Sequence, residues 1–217
     1  MMDYDPFKEL APVSLLTRNT IILVVHPSLP ANTLQEFIAL ARAKPGQILF
    51  GSSGLGGPNH LAGEMFKHMT GVDIVHVPFQ RTGAALQGVM SNQVGAMWGF
   101  TAGLIPHIRA GALKAIASGG RERSPVLPEV PTFVESGVAD YVAASWIGMF
   151  APHGTEAAII DKLNGAVKNA MQEEKVKELL MQNGSEIVAS TPAEFSRVVA
   201  SDDAKYSMLA DLFQNQK

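Results

Sequence analysis

The middle of the chain repeats one pattern three times: a short apolar run typical of a strand, a turn of small residues, and a helical segment. Strands that alternate with helices at this spacing pair in parallel through right-handed crossovers, and helices then cover both faces of the sheet. The repeat therefore predicts an α/β fold with a parallel sheet. The three units and a closing strand are predicted at residues 47–50 and 58–69, 73–77 and 83–90, 94–98 and 102–110, and 113–118.

Less regular segments flank these units. Two strands are predicted before them, at residues 12–16 and 21–26, followed by a helix that Thr33 and Glu36 open as a capping box. After them, strands are predicted at residues 144–151 and 186–189. The remainder is helical, with Thr155 and Thr191 as the expected caps of the first and last helices. The apolar stripes of these helices contain Ile159, Leu163, Val167, Met171, Val176, Leu179, Leu180, Phe195, Val199, Tyr206 and Leu209.

The charge pattern argues against nucleic acid as a partner. The net charge is −3 and the basic residues are scattered, so no basic stripe is available for a phosphate backbone.

The chain has no cysteine, which excludes disulfides and thiolate metal sites. Glycines and polar residues interrupt its longest uncharged stretch, residues 82–108, so no membrane span is predicted. The first ten residues lack an apolar run, so the chain as written is expected to carry no export signal.

A glycine-rich turn at residues 51–57 separates a predicted strand from a predicted helix. Glycine lets the backbone approach a ligand closely, and Pro58 suits the first helical position. Such a turn presents free backbone N–H groups and the positive end of the helix dipole to an anion. The segment therefore predicts a carboxylate or phosphate site, although a turn between a strand and a helix needs small residues for its own sake.

Two other helix starts are expected at the same edge of the sheet. Thr82 and Gly83 open the second helix of the repeat, and Thr101 opens the third. In an open parallel sheet these turns lie at the carboxyl ends of the strands and line one crevice. Taken singly, Thr82 and Thr101 are better explained as helix N-caps.

Several motifs of catalysis and cofactor binding are missing or weak. The glycines lack the G-x-G-x-x-G spacing of a dinucleotide site, and neither a G-x-x-x-x-G-K-[ST] loop nor a G-x-S-x-G nucleophile elbow is present. His60, Glu64 and His68 share a helix face, but without further ligands nearby they favour a solvated face over a metal site. No catalytic residue, metal site or cofactor is predicted.

Motifs spread along the whole chain resemble the Bug-type receptors of tripartite tricarboxylate transporters. They include Ile22-Leu-Val-Val-His-Pro, Gly51-Ser-Ser-Gly, His60-Leu-Ala-Gly-Glu, Val72-Asp-Ile-Val-His-Val-Pro-Phe, Arg123-Ser-Pro-Val-Leu-Pro-Glu-Val-Pro-Thr and Trp146-Ile-Gly-Met-Phe-Ala-Pro. The resemblance implies a periplasmic-binding-protein fold of type II, whose two lobes close on a small organic anion. It also implies a complete α/β second lobe at residues 25–149, with residues 1–24 and 150–217 forming an incomplete first lobe.

The resemblance further implies which residues reach the ligand. The segments that match the family's crevice contain Ser52, Ser53, Gly54, Gly56, Gly57, Asn59, Phe79, Thr82, Gly83, Gly99, Phe100 and Thr101. Leu55 and Pro58 stand where the family often has polar residues, and Gly99 stands where it commonly has an acidic one. Because that acidic residue can hold an ammonium group, an amino-acid ligand is less favoured here. The family's export signal and first glycine-rich loop precede the point that matches Met1.

Three functional readings follow. The first is a periplasmic receptor that binds a di- or tricarboxylate and works with membrane transporter subunits. The second is a doubly wound enzyme that uses the Gly51–Gly57 loop for a phosphate or nucleotide, and the third is a shortened assembly module that binds nothing. Because the apolar faces of the C-terminal helices have few strands to cover, the chain is also expected to self-associate, most simply as a homodimer.

Overall fold

The computed structural model of the chain describes residues 5–214, with side chains as far as residue 207; Leu209, predicted on the last apolar stripe, lies outside the described side chains. The helices are α1 (Pro6–Glu9), α2 (Leu34–Ala43), α3 (Pro58–Thr70), α4 (Thr82–Met90), α5 (Thr101–Arg109), α6 (Ala157–Gln172), α7 (Glu174–Gln182) and α8 (Pro192–Gln214). The strands are β1 (Leu10–Val25), β2 (Leu49–Ser52), β3 (Val75–Pro78), β4 (Ala96–Phe100), β5 (Lys114–Ser118), β6 (Ala144–Pro152) and β7 (Ser185–Ile187). Within the described residues no helix is both long and apolar enough to cross a bilayer.

The chain divides into two compact units. The sheet unit is Asn19–Ser145, and the terminal unit comprises the chain up to Arg18 and from Trp146 onward. β1 contributes its first part to the terminal unit and its last part to the sheet unit.

The strands of the sheet unit confirm the α/β class and the three strand–helix repeats, but the sheet is mixed and not wholly parallel. Its order is β3-β2-β4-β1-β5. β2 runs parallel to β3 and β4, whereas β1 runs antiparallel to β4 and β5. β5 therefore pairs with β1, and the prediction that it continues a parallel series after β4 was wrong. The buried run Ile21–Val25 of β1 has the apolar character of a central strand in either direction, so its residues do not reveal its orientation.

A single long strand replaces the two strands predicted at residues 12–16 and 21–26. β1 continues through Thr17, Arg18, Asn19 and Thr20 without interruption. No glycine or proline separates the two apolar runs, and threonine is compatible with extended backbone. The prediction of two separate strands was therefore wrong, because the polar residues between the runs continue the strand.

Helices cover both faces of the sheet unit. On one face Trp98 is fully buried, with its ring centroid 5.3 Å from those of Phe50 and Phe66 and 6.4 Å from that of Phe37. α3 lies close to this face because Gly63 has no side chain: a Cβ there would come within 2.4 Å of the Phe50 ring. Helices α4 and α5 cover the other face, which contains the buried residues Ile22, Val24, Ala85, Val89, Met97, Leu104 and Ile105.

In the terminal unit, β6 and β7 pair with β1. The buried Asn164 of α6 donates its Nδ2 hydrogens to Val13 O at 2.9 Å and to Ser190 O at 2.7 Å, which fixes the helix to β1. The cap predicted at Thr191 is confirmed and forms a capping box, since its hydroxyl accepts from Glu194 N–H and its own N–H donates to Glu194 Oε2. Thr155 is not a cap, because α6 begins after Glu156 and the Thr155 hydroxyl donates to Pro152 O instead.

Candidate functional site

The carboxyl ends of β2, β3 and β4 meet at one edge of the sheet. These strands are mutually parallel, and the register places Ser52 opposite Pro78 and Gly51 opposite Met97. The segment after β2 therefore emerges between those that follow β3 and β4. In an open α/β sheet this edge is where ligands bind.

The glycine turn, which we define as residues 53–57, connects β2 to the start of α3 in a conformation that needs glycine. Gly54 has φ 122° and Gly56 has φ 75°, values that residues with a side chain rarely adopt. The N-cap of α3 is Gly57, which offers no side chain to the first helical N–H groups. Among the described residues, none accepts a hydrogen bond from the backbone N–H of Ser53 or Leu55. The turn thus leaves backbone donors beside the positive end of a helix of 13 residues.

Two other N–H groups of the turn are already bound to side chains. Gly54 N–H donates to Ser52 Oγ at 3.2 Å, and Gly56 N–H donates to His60 Nδ1 at 3.2 Å. Ser52 Oγ also lies 3.0 Å from Gly54 O and 2.7 Å from His76 Nε2. All of these contacts are satisfied at once if His76 Nε2–H donates to Ser52 Oγ and the Ser52 hydroxyl donates to Gly54 O. Ser52 and His60 therefore hold the turn in its present shape.

The two histidine rings stack with their centroids 4.2 Å apart. Burial, together with repulsion from His60 and Lys67, lowers the pKa of His76 to about 4. Burial also lowers the pKa of His60, more than the nearby carboxylate of Glu64 raises it. Both rings are consequently neutral near pH 7, as the acceptor role of His60 Nδ1 requires.

The short distance from Ser52 to His76 resembles a nucleophile beside its base, but the surroundings argue against that role. Ser52 is fully buried, and its hydroxyl is engaged on both sides by the backbone of Gly54. A pKa of about 4 makes His76 a weak base at neutral pH. The contact therefore stabilises the turn and does not activate the serine.

Asn59 stands out among the buried side chains at this edge. It occupies the second position of α3, is 1% exposed, and has no hydrogen-bond partner for its Oδ1 or Nδ2 among the described residues. A buried carboxamide without a partner costs about 1–3 kcal/mol, so native proteins nearly always satisfy it with protein, water or ligand. The Asn59 carboxamide at the start of α3 is therefore a buried polar group that the described residues leave unsatisfied.

Phe79 and Gly99 have packing roles that the sequence did not reveal. Phe79 N–H donates to Ser52 O at 2.9 Å, which joins the segment after β3 to the end of β2. Its ring packs against the apolar core and fills the space beside Gly51 and Gly88, where added Cβ atoms would lie 3.2 and 2.6 Å from it. A Cβ at Gly99 would lie 2.6 Å from Leu104 Cδ1, so a larger residue there would require the core to move.

The threonines at the other helix starts do not act as caps. The N-cap of α4 is Arg81 and that of α5 is Phe100, so Thr82 and Thr101 are the first helical residues. Thr82 and Gly83 are exposed, and nothing lies within 4 Å of a Cβ built at Gly83. The Thr101 hydroxyl is buried and donates to Thr20 O at 3.0 Å, so it anchors α5 to β1.

The histidine pair is the part of the site that the sequence analysis missed. The sequence places His60 on one helix face with Glu64 and His68, but in the structure Glu64 forms an ion pair with Lys67 at 3.0 Å and His68 is exposed. No group of side chains suited to a metal ion occurs among the described residues. His76 reaches His60 only because β3 pairs with β2, and strand pairing of this kind has no local signal in the sequence.

Comparison with known proteins gives a consistent result. The family model described as the tripartite tricarboxylate transporter family receptor matches residues 1–212. Protein BugT of Bordetella pertussis is 32% identical over 204 residues, which cover 94% of this chain and 63% of the relative. The chain thus spans about three-fifths of the length of that curated relative.

Solved structures of similar fold include two from Rhodopseudomonas palustris. One, described with adipate, has a TM-score of 0.88 and 31% identity, and the match covers 97% of this chain and 71% of that one. The other, MatC with bound malate, has a TM-score of 0.83 and 30% identity, with 94% and 70% covered. The periplasmic binding protein BugD matches with a TM-score of 0.84 at 26% identity.

Proposed function

The chain belongs to the family of tripartite tricarboxylate transporter receptors, and we propose that it binds a small organic acid as the solute receptor of such a transporter. Two relatives at about 30% identity are described with adipate and with malate, both dicarboxylates. We propose the same ligand class for this chain, with the protein acting as a binding component that catalyses no reaction. The chemistry of the glycine turn supports this assignment.

The observation that carries the proposal is the combination of free donors at the glycine turn. The backbone N–H groups of Ser53 and Leu55, the start of α3 and the unpartnered carboxamide of Asn59 all lie within seven consecutive residues. A carboxylate accepts hydrogen bonds from such groups and gains from the helix dipole. We therefore place one carboxylate of the ligand at this turn.

The other residues expected at the site have unequal support. Gly56 and Gly57 shape the turn, and Thr82 and Gly83 are exposed at the start of α4, where a ligand can reach them. Phe79, Gly99 and Thr101 act through packing and backbone bonds, so we propose that they position the edge without binding the ligand. Phe100 is partly exposed at the end of β4.

Calorimetry and thermal unfolding with a panel of acids test the proposal. Adipate, malate and a tricarboxylate are expected to raise the melting temperature without being consumed, because a ligand that binds only the folded state stabilises it by about 2.7 kcal/mol at 100 times its Kd. Nucleotides, phosphate esters and amino acids serve as controls. Turnover of a phosphate ester would instead support the doubly wound enzyme, and no response to any acid would support the assembly module.

As the receptor of a tripartite transporter, the protein would work outside the cytoplasmic membrane and deliver its ligand to membrane subunits. We propose the periplasm as its location on the strength of the family and of BugD, which is described as a periplasmic binding protein. Co-purification of the chain with membrane components encoded near its gene would test this partnership.

We also propose that the terminal unit mediates self-association. Large apolar side chains are exposed on three of its elements: Ile147 on β6, Ile159 and Leu163 on α6, and Leu179 and Met181 on α7, with exposures from 37% to 60%. Light scattering is expected to show a dimer whose dissociation constant rises when Leu179 and Met181 are both changed to lysine, whereas lysine at the exposed Val134 of the sheet unit has no effect. A wild-type protein that stays monomeric at high concentration would contradict this.

A further inference from the structure

The glycine turn has two side-chain acceptors, and only one of them can be lost by protonation. Ser52 Oγ accepts from Gly54 N–H at any ordinary pH. His60 Nδ1 accepts from Gly56 N–H only while that nitrogen carries no proton. A proton on Nδ1 would place two N–H groups against each other at 3.2 Å, so the peptide of Gly56 would have to turn away.

We call the turn closed when both of these hydrogen bonds are formed, and open when the bond from Gly56 N–H is lost. The position of His76 makes a proton on His60 Nδ1 costly while the turn is closed. The two rings stack at 4.2 Å, and His76 is in turn bonded to Ser52, the other acceptor of the turn. Charge on either ring would repel charge on the other in a partly buried place. The two histidines therefore respond to pH together. His60 bonds Gly56 directly, and His76 is connected to Gly54 through the Ser52 hydroxyl; these are the two glycines of positive φ in the turn.

Two charged side chains of α3 act on the pair. They are Glu64 and Lys67, which form an ion pair with each other at 3.0 Å. β2 contributes only uncharged groups, Ser52 and the Phe50 ring, whose centroid is 5.0 Å from that of His76. Lys67 pairs with Glu64 and repels a charge on either ring, so it opposes part of the attraction that Glu64 exerts on a protonated His60.

We propose that His60 and His76 form a proton-operated latch on the glycine turn, which holds the turn in its closed form only while both rings are neutral. The latch makes ligand binding at the turn depend on pH, and this consequence rests on the function proposed above. His60 and His76 are positioning residues in this scheme, because they act through the backbone of Gly54 and Gly56 and not on the ligand.

The direction of the pH dependence follows from the lowered pKa values. The closed turn keeps the histidines neutral to a lower pH than an open turn would. It is therefore fully favoured above about pH 6.5 and becomes progressively less favoured as the pH falls toward about 4, the pKa of His76 in the closed form. A carboxylate ligand also takes up protons in acid, so the test must separate the two effects.

The experiment compares the wild-type chain with the double variant His60→Asn/His76→Gln. Asparagine places Oδ1 near the position of Nδ1, and glutamine places its amide near the position of Nε2, so both hydrogen bonds can form without a group that titrates. Nuclear magnetic resonance follows the amide of Gly56 with pH in the absence of ligand, and calorimetry measures malate affinity between about pH 7 and about pH 4.5. His68→Gln, at an exposed histidine of the same helix, is the matched control.

The chemical shift of the Gly56 amide is expected to change between about pH 6.5 and about pH 4 in the wild type and in His68→Gln. In the double variant it should stay constant over the same range. Malate affinity should fall about tenfold more in the wild type than in the double variant, in which only the ligand titrates. A Gly56 amide that does not respond to pH in the wild type, or equal losses of affinity in the two proteins, would overturn the latch. If the chemical shift of the Gly56 amide changes with pH but the protein binds no acid, the result supports the latch and contradicts the proposed function.

Discussion

The substitution Gly54→Val is expected to abolish the increase in melting temperature that a dicarboxylate produces. Gly54 has φ 122°, and its N–H and C=O both bond Ser52 Oγ. Space is available at this position, since the nearest atom to an added Cβ is Phe79 O at 3.9 Å. The backbone conformation is what valine cannot adopt, at a cost of about 1–3 kcal/mol. The turn must then rearrange, and the N–H groups of Ser53 and Leu55 lose their positions.

The matched control for this variant is Gly71→Val. Gly71 lies at the opposite end of α3 with φ 67°, and no atom lies within 4 Å of a Cβ built there. Both substitutions place valine at a positive φ that favours glycine, so both should lower the melting temperature measured without ligand. Only Gly54→Val should lose the increase that adipate or malate produces. If Gly54→Val keeps that increase, the carboxylate binds elsewhere and the turn is structural.

The strand–helix repeat could be predicted because it depends on local periodicity. The three units appear close to their predicted positions, and the cap predicted at Thr191 is confirmed by its hydrogen bonds. The orientation of β1 could not be predicted, because a central strand buried on both faces has the same apolar residues in either direction. The expected caps at Thr82 and Thr101 were wrong for a related reason: a helix start is uncertain by one residue unless the cap geometry is seen.

The site divides in the same way between local and non-local features. The glycine turn before α3 follows from adjacent residues, as does the positive φ at Gly54 and Gly56. The contact of His76 with Ser52 and His60 depends on the pairing of β2 with β3, and the burial of Asn59 depends on how α3 packs on the sheet. Features of this kind need the tertiary structure: the histidine contacts carry the latch, and the buried Asn59 supports the carboxylate site.

The largest effects on stability are expected at Trp98, and they depend strongly on the replacement. Alanine removes a fully buried ring that packs against Phe37, Phe50 and Phe66, so Trp98→Ala should lower the free energy of unfolding by about 3–5 kcal/mol. Most domains have only about 5–15 kcal/mol in total. Trp98→Phe keeps an aromatic ring and removes an indole N–H that has no partner among the described residues. Loss of that unsatisfied donor offsets the lost volume, so this variant should remain within about 1 kcal/mol of the wild type.

Trp146→Phe is the comparison that isolates the indole N–H. The chain has two tryptophans, and Trp146 Nε1–H donates to the carboxylate oxygen Asp202 Oδ2 at 2.6 Å. Phenylalanine at position 146 therefore removes a hydrogen bond to a charged group, and urea unfolding followed by circular dichroism should show a loss of about 1–3 kcal/mol. The same replacement thus removes a satisfied donor at one tryptophan and an unsatisfied donor at the other. Equal losses for Trp98→Phe and Trp146→Phe would contradict the offset expected at Trp98 between the lost volume and the removed unsatisfied donor.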